Sequence, residues 1–128
     1  MFDEVQQSIK DVIDNITTCT VGSVPSTGGF SVYFGSGSAT KHLDNSLLFN
    51  ITVAINAKST NLQDMLQKYS LILKALNNHK DSGATWEGER WQILDIVTTN
   101  SPSYVDRDLS TKEWLYNALV DVQVYIHE

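Results

Sequence analysis

The sequence predicts an α+β fold, an antiparallel sheet of four to five strands with two main helices packed on it. Three observations carry that prediction. Two stretches repeat apolar residues at spacings of three and four, as helices with one buried face do. Other stretches alternate with period two and are rich in β-branched residues, as half-buried strands are. No strand–helix–strand alternation calls for a parallel sheet. The 128 residues suit one domain, 1–128, with one core.

The elements follow in order. Phe2, Val5, Ile9, Val12, Ile13 and Ile16 line one face of a first helix, with Asp3 and Glu4 at the positive end of its dipole. From Gly22 to Ser46 the chain is rich in Gly, Ser and Thr. Short strands are expected at Phe30–Phe34 and Ala39–Leu43, with Gly35-Ser36-Gly37-Ser38 as a turn or mobile loop between them. Leu47, Phe49, Ile51, Val53 and Ile55 alternate with Leu48, Asn50, Thr52, Ala54 and Asn56, a strand. Thr60 and Gln63 have capping-box spacing, and Leu62, Met65, Leu66, Tyr69, Ile72, Leu73 and Leu76 form the stripe of a second helix. Asn77-Asn78 and Gly83 end it. Trp91–Thr99 is apolar on both faces, which predicts a central strand, and Ser101-Pro102 is expected to break it. Tyr104–Lys112 reads as a polar connection.

The last strand is the longest. Trp114, Tyr116, Ala118, Val120, Val122, Val124 and Ile126 share one face. At roughly 3.3 Å per residue this stretch spans about 40 Å. A chain of this length has a radius of gyration near ~14 Å, hence a diameter of about 36 Å. The strand is therefore expected to cross the domain and overhang it, offering backbone to a neighbouring copy. Trp114, Tyr116, Val122, Val124 and Ile126 become candidate subunit-interface residues. Leu71 joins them, because at about 100° per residue it falls opposite the apolar stripe of its helix.

Composition bounds the chemistry. Net charge is −6 and no basic run occurs, which argues against tight binding to nucleic acid or an anionic membrane. No apolar run approaches the ~20 residues of a membrane span, and the acidic Met1-Phe2-Asp3-Glu4 opening is not that of a secretory signal. Without such a signal the sequons at Asn15 and Asn50 carry no weight. Cys19 is the one cysteine, with no Lys, Arg or His beside it, and reads as a small packing residue in a reducing compartment. His42, His79 and His127 are far apart in sequence and show no metal-ligand spacing. Gly35–Lys41 lacks the Gly before Lys41 and the hydroxyl after it that a phosphate loop needs. Trp86, Trp91 and Trp114 flank the late strands without the interleaved Lys and Arg of a base-stacking platform. No nucleophile signature is present. Catalytic, cofactor and metal sites are all expected to be none, and the protein is not expected to be an enzyme. Glu87/Glu89 and Asp106/Asp108 read as carboxylates solvated in loops at strand ends.

Three stretches together resemble the phage tail terminator proteins, the minor capsid proteins of phages and prophages of Gram-positive bacteria. They are the amphipathic opening helix with its Gly/Ser-rich sequel, the strand Ser46–Ala57 running into the helix Leu62–Asn78, and Ser101-Pro102-Ser103-Tyr104-Val105 with Asp106-Arg107-Asp108 before the long strand. The resemblance implies a virion protein that forms a ring, a hexamer, on the last layer of the tail tube. Its implied partners are further copies of itself, the tail tube protein and the head connector or stopper protein. DNA passes through without specific binding, with the loops of Glu87, Glu89, Asp106 and Asp108 either facing the lumen or solvated on the outside, and no membrane is involved. Assembly takes place in the host cytoplasm and the protein resides in the virion neck. Two other readings stand beside it: a head-completion or stopper protein of the same neck, and a small non-phage binding module.

Overall fold

The alternating stretches become strands of one sheet in the computed structural model, which describes residues 2–17, 19–22, 28–41, 47–78, 86–88 and 91–126. The strands are β1 (Cys19–Val21), β2 (Gly29–Lys41), β3 (Leu47–Ser59), β4 (Trp91–Asp108) and β5 (Glu113–Ile126). Their order in the sheet is β1-β2-β3-β5-β4. β1 pairs parallel with β2, and every other pair is antiparallel. The helices are α1 (Phe2–Asp14) and α2 (Leu62–Asn77). The fold is α+β, as the sequence predicts, with one parallel pair at the sheet edge.

Period two puts Phe49, Ile51, Val53 and Ile55 of β3 on the same face as Val124, Val122, Val120 and Ala118 of β5, their register partners. Against that face lie Val5, Ile9 and Ile13 of α1 and Met65, Tyr69, Ile72 and Leu76 of α2, all buried. Each large aliphatic side chain gains about 1.5–3 kcal/mol from leaving water. Tyr69 is also held by polar contact. Its phenol lies 2.8 Å from the Ile55 carbonyl oxygen and 3.1 Å from that of Tyr116, and its ring meets Phe30 edge-on at 4.9 Å. Asn61 starts α2, its Oδ1 accepting from the Asp64 N–H at 3.0 Å. The cap thus falls one residue after the expected Thr60, because Asn61 is the residue with extended backbone at the helix entry.

Several expectations are corrected. β5 does not overhang: β3 partners it from Trp114 to Ile126 and β4 from Glu113 to Ile126. It is a central strand, long because its neighbours are equally long. β4, expected at the centre, is instead an edge strand. Its two apolar faces arise from a register shift between Ile93 and Asp95, which throws Leu94 out of the alternation. Leu94 and Val97 are exposed. Ser101-Pro102 does not break the strand, which runs on to Asp108 through a register shift between Asn100 and Ser103. An edge position and a bulge are where a strand tolerates proline. Gly35–Ser38 is no turn either: β2 continues through it, with the extra residue absorbed between Phe34 and Gly37. The three residues of β1 carry too little alternation to be read from sequence.

Candidate functional site

The described residues bring the sequence candidates to three separate places. Val122 and Val124 lie on the covered face with no exposed surface, so they belong to the core of the chain and not to a subunit interface. Ile126 is half-buried against the same core. Leu71 stands on the outer side of α2, 55% exposed.

Trp114 and Tyr116 sit at the other end of β5 and are half-buried. There the β4–β5 hairpin gathers aromatic side chains. Tyr104 meets Trp114 and Tyr116 edge-on, each at 6.1 Å between ring centroids. The Arg107 guanidinium lies over the Trp114 ring at 4.4 Å. Register explains the grouping: Tyr104 is the cross-strand partner of Tyr116, and Arg107 that of Trp114. Tyr104, Val105 and Leu109 are exposed around them, each by more than half. Tyr, Trp and Arg in one partly exposed cluster are the residue types that anchor protein interfaces. The sequence marked Trp114 and Tyr116 but not Tyr104, Val105 or Arg107, which it placed in a loop.

The acidic candidates have different settings. Glu87 is exposed and forms an isolated bridge to Gln92. Glu89 lies outside the described residues. Asp106 is exposed, its Oδ1 accepting from the Arg107 N–H at 2.7 Å. Asp108 shapes the hairpin turn: its Oδ1 accepts from the Ser110 N–H at 2.9 Å, the Ser110 hydroxyl at 2.6 Å and the Thr111 N–H at 3.3 Å. The Ser110 hydroxyl foremost, then the backbone donors, holds the Asp108 carboxyl below its ordinary value. Asp108 therefore has a structural duty that its sequence pattern did not reveal.

The face of the sheet away from the helices carries polar side-chain pairs between β3 and β5, one of them with a carboxylate. Asn117 donates from Nδ2 to Asn56 Oδ1 at 2.6 Å, and Thr52 donates to Asp121 at 3.0 Å. A groove of about 200 Å³ lies between the start of α2 and the near ends of the strands, lined by Thr17, Gly28, Lys58, Asp64, Lys68 and Glu113 among others. Its charges are matched, Lys68 with Asp64 at 2.9 Å and Lys58 with Glu113 at 3.5 Å. Cys19 is buried, and burial first, then the Asp14 carboxylate, pushes its thiol up to about 11. A protonated, buried thiol is a poor nucleophile. Among the described residues no group of three or more His, Cys, Asp or Glu is placed to hold a metal ion. No helix among them is long and apolar enough to cross a membrane.

No protein-family model matches the chain, and no curated protein matches it in sequence. Among solved structures, it is similar to a chain in the virion of a native gene transfer agent particle, at 8% identity and a TM-score of 0.53. The match covers 94% of this chain and 91% of that one, so the two share a fold from end to end.

Proposed function

We propose that this chain is a structural subunit of a phage-type virion. In this reading, copies form a ring, a hexamer, that caps the tail tube at the head–tail junction and meets the head connector or stopper protein on its other side. The observation that carries the reading is the shared fold with a chain of a gene transfer agent virion across nearly the full length of each. Two further features support it. The order of elements resembles that of phage tail terminators. The clearest surface feature, the aromatic and Arg107 cluster on the β4–β5 hairpin, suits contact with another protein. The role is one of assembly without catalysis. A net charge of −6 per copy suits a ring that lets DNA pass without holding it.

Deleting the gene from the phage or prophage and imaging the particles tests the reading. A protein that caps the tube leaves tails of uncontrolled length when it is absent. Tails of normal length that fail to join heads would instead point to the stopper reading. Normal, infective particles would remove both. A direct titration adds an independent check: duplex DNA should show no micromolar binding at ~50 mM salt, where a basic binder is near its tightest.

A further inference from the structure

The outermost strands of the sheet are β1 and β4. One row of residues crosses all five strands between them: Cys19, Phe30, Ala57, Tyr116 and Tyr104, each the register partner of the next. The adjacent row is Thr20, Ser31, Asn56, Asn117 and Ser103. The two edges therefore reach the same height on opposite sides of the sheet. Following the pairings across the sheet, β1 and β4 run in opposite directions.

We propose that β4 of one copy docks edge to edge against β1 of a second copy, antiparallel, so that copies join head to tail. The proposal rests on the ring reading above and names the surfaces that close the ring. Exposed apolar side chains stand at both edges: Val21 on β1, 47% exposed, and Tyr104 and Val105 on β4, 57% and 56% exposed. Val21 and Tyr104 fall on the helix-bearing side of the sheet, by their rows. The β4 edge adds Arg107 and the aromatic rings behind it, the residue types that dominate binding energy at interfaces. Charge agrees with the pairing. β1 and β2 contain no Asp or Glu, so Asp106 and Asp108 meet no like charge on those strands. Asp14, which accepts from the Cys19 N–H, is itself paired with Lys10. Two different surfaces meeting in this way form a heterologous contact, which closes into a ring when the rotation per copy allows. Pro102 and the register shifts around it keep the backbone contact short. They also blunt the edge against indiscriminate strand addition, leaving side chains to choose the partner.

The test uses the full chain carrying Cys19→Ala, with Thr20→Cys and Ser103→Cys separately and together. Thr20 and Ser103 end the same row, and residues opposed across an antiparallel edge stand about 4.5–5.5 Å apart at Cβ. Mild oxidation of the double variant at high protein concentration should give a ladder of disulfide-linked multiples, and each single variant should stay monomeric. A linked dimer from Ser103→Cys alone would mean a symmetric β4–β4 contact and overturn the proposal. So would the absence of any ladder from a double variant that circular dichroism shows to be folded. Tyr104→Lys, at an exposed site, should weaken self-association at least tenfold in sedimentation, while Leu71→Lys leaves it unchanged. Equal association of wild type and Tyr104→Lys also overturns the contact. Tails of uncontrolled length in the deletion strain together with no ladder would reject the edges and keep the ring reading. A ladder together with normal, infective particles would do the reverse.

Discussion

The Trp91 indole N–H donates to the Glu4 carboxylate at 2.9 Å, tying the first turn of α1 to the start of β4. Gly88 lies against the same indole, so closely that a Cβ there would overlap the Trp91 ring nitrogen and its neighbours. Gly88 N–H also donates to the Trp91 carbonyl at 2.8 Å, which holds the two residues in place. Gly88→Ala should push the indole out of position and break its bond to Glu4. The expected result is a red-shifted tryptophan emission and a loss of about 1–3 kcal/mol in urea unfolding. Unchanged emission would mean the turn shifts instead.

Tyr69 gives a prediction with a pH dependence. Tyr69→Phe removes a buried hydroxyl whose partners are sheet carbonyls, at a cost of about 1–2 kcal/mol. Burial raises the phenol above its ordinary value of 10.0. The unfolded chain therefore releases this proton first. The stabilisation is whole below about pH 10 and is lost as pH rises through the folded value. Alkaline unfolding curves should be steeper for the wild type than for Tyr69→Phe.

Val122→Ala distinguishes a core residue from an interface residue. Val122 has no exposed surface in the single chain. The substitution should cost the dilute, unassembled protein about 1–3 kcal/mol, read as a lower Tm. A Tm that changes only when copies assemble would restore the interface assignment.

Lys112 has a φ of 61°, the left-handed region, in the turn that Asp108 organises. Lys112→Gly should raise stability by about 0.5–1 kcal/mol, since a side chain there costs about 1 kcal/mol or more. Asp108→Ala should act in the opposite direction, with faster amide exchange at Ser110 and Thr111. The Asp108 carboxyl is held below its ordinary 3.8, so its contribution is whole above that pH and disappears as pH falls through the lower folded value.

Cys19 should be nearly inert. With a thiol pushed up to about 11, alkylation at pH 8 should run at least about 100-fold slower than for free cysteine. Rapid labelling of the native chain would show that the start of β1 opens readily.

Legibility in the sequence followed the cleanness of the periods. β3 and α2 repeat without interruption, and both stand close to where Leu47–Ile55 and Leu62–Leu76 place them. β4 reads only as far as Thr99, and as a central strand, because its register shifts scramble the alternation at Leu94 and beyond Asn100. A proline inside a strand also reads as a stop unless the strand is known to be an edge. The rank of β5 in the sheet depends on which distant strands pair with it, and no local pattern carries that. Alternation told which residues share a face with Val122, but not that the helices cover that face. For the candidate surface, Trp114 and Tyr116 were visible as residues. Their gathering with Tyr104 and Arg107 needed the hairpin register.

The sheet order also sets a timetable for folding during synthesis. β5 lies between β3 and β4, yet it is the last of the five strands to be made. Until residues up to Ile126 leave the ribosome, β3 has no partner on one side and the backbone N–H and C=O groups of that edge face an empty lane. The earlier segments can form α1, α2 and the β2–β3 hairpin, but the middle of the sheet must wait for its keystone. Completing the sheet then requires the β4–β5 hairpin, local in sequence, to pair with β3. Translation that stalls before Glu113 should leave a chain with an open central edge, a ready substrate for chaperones and proteases.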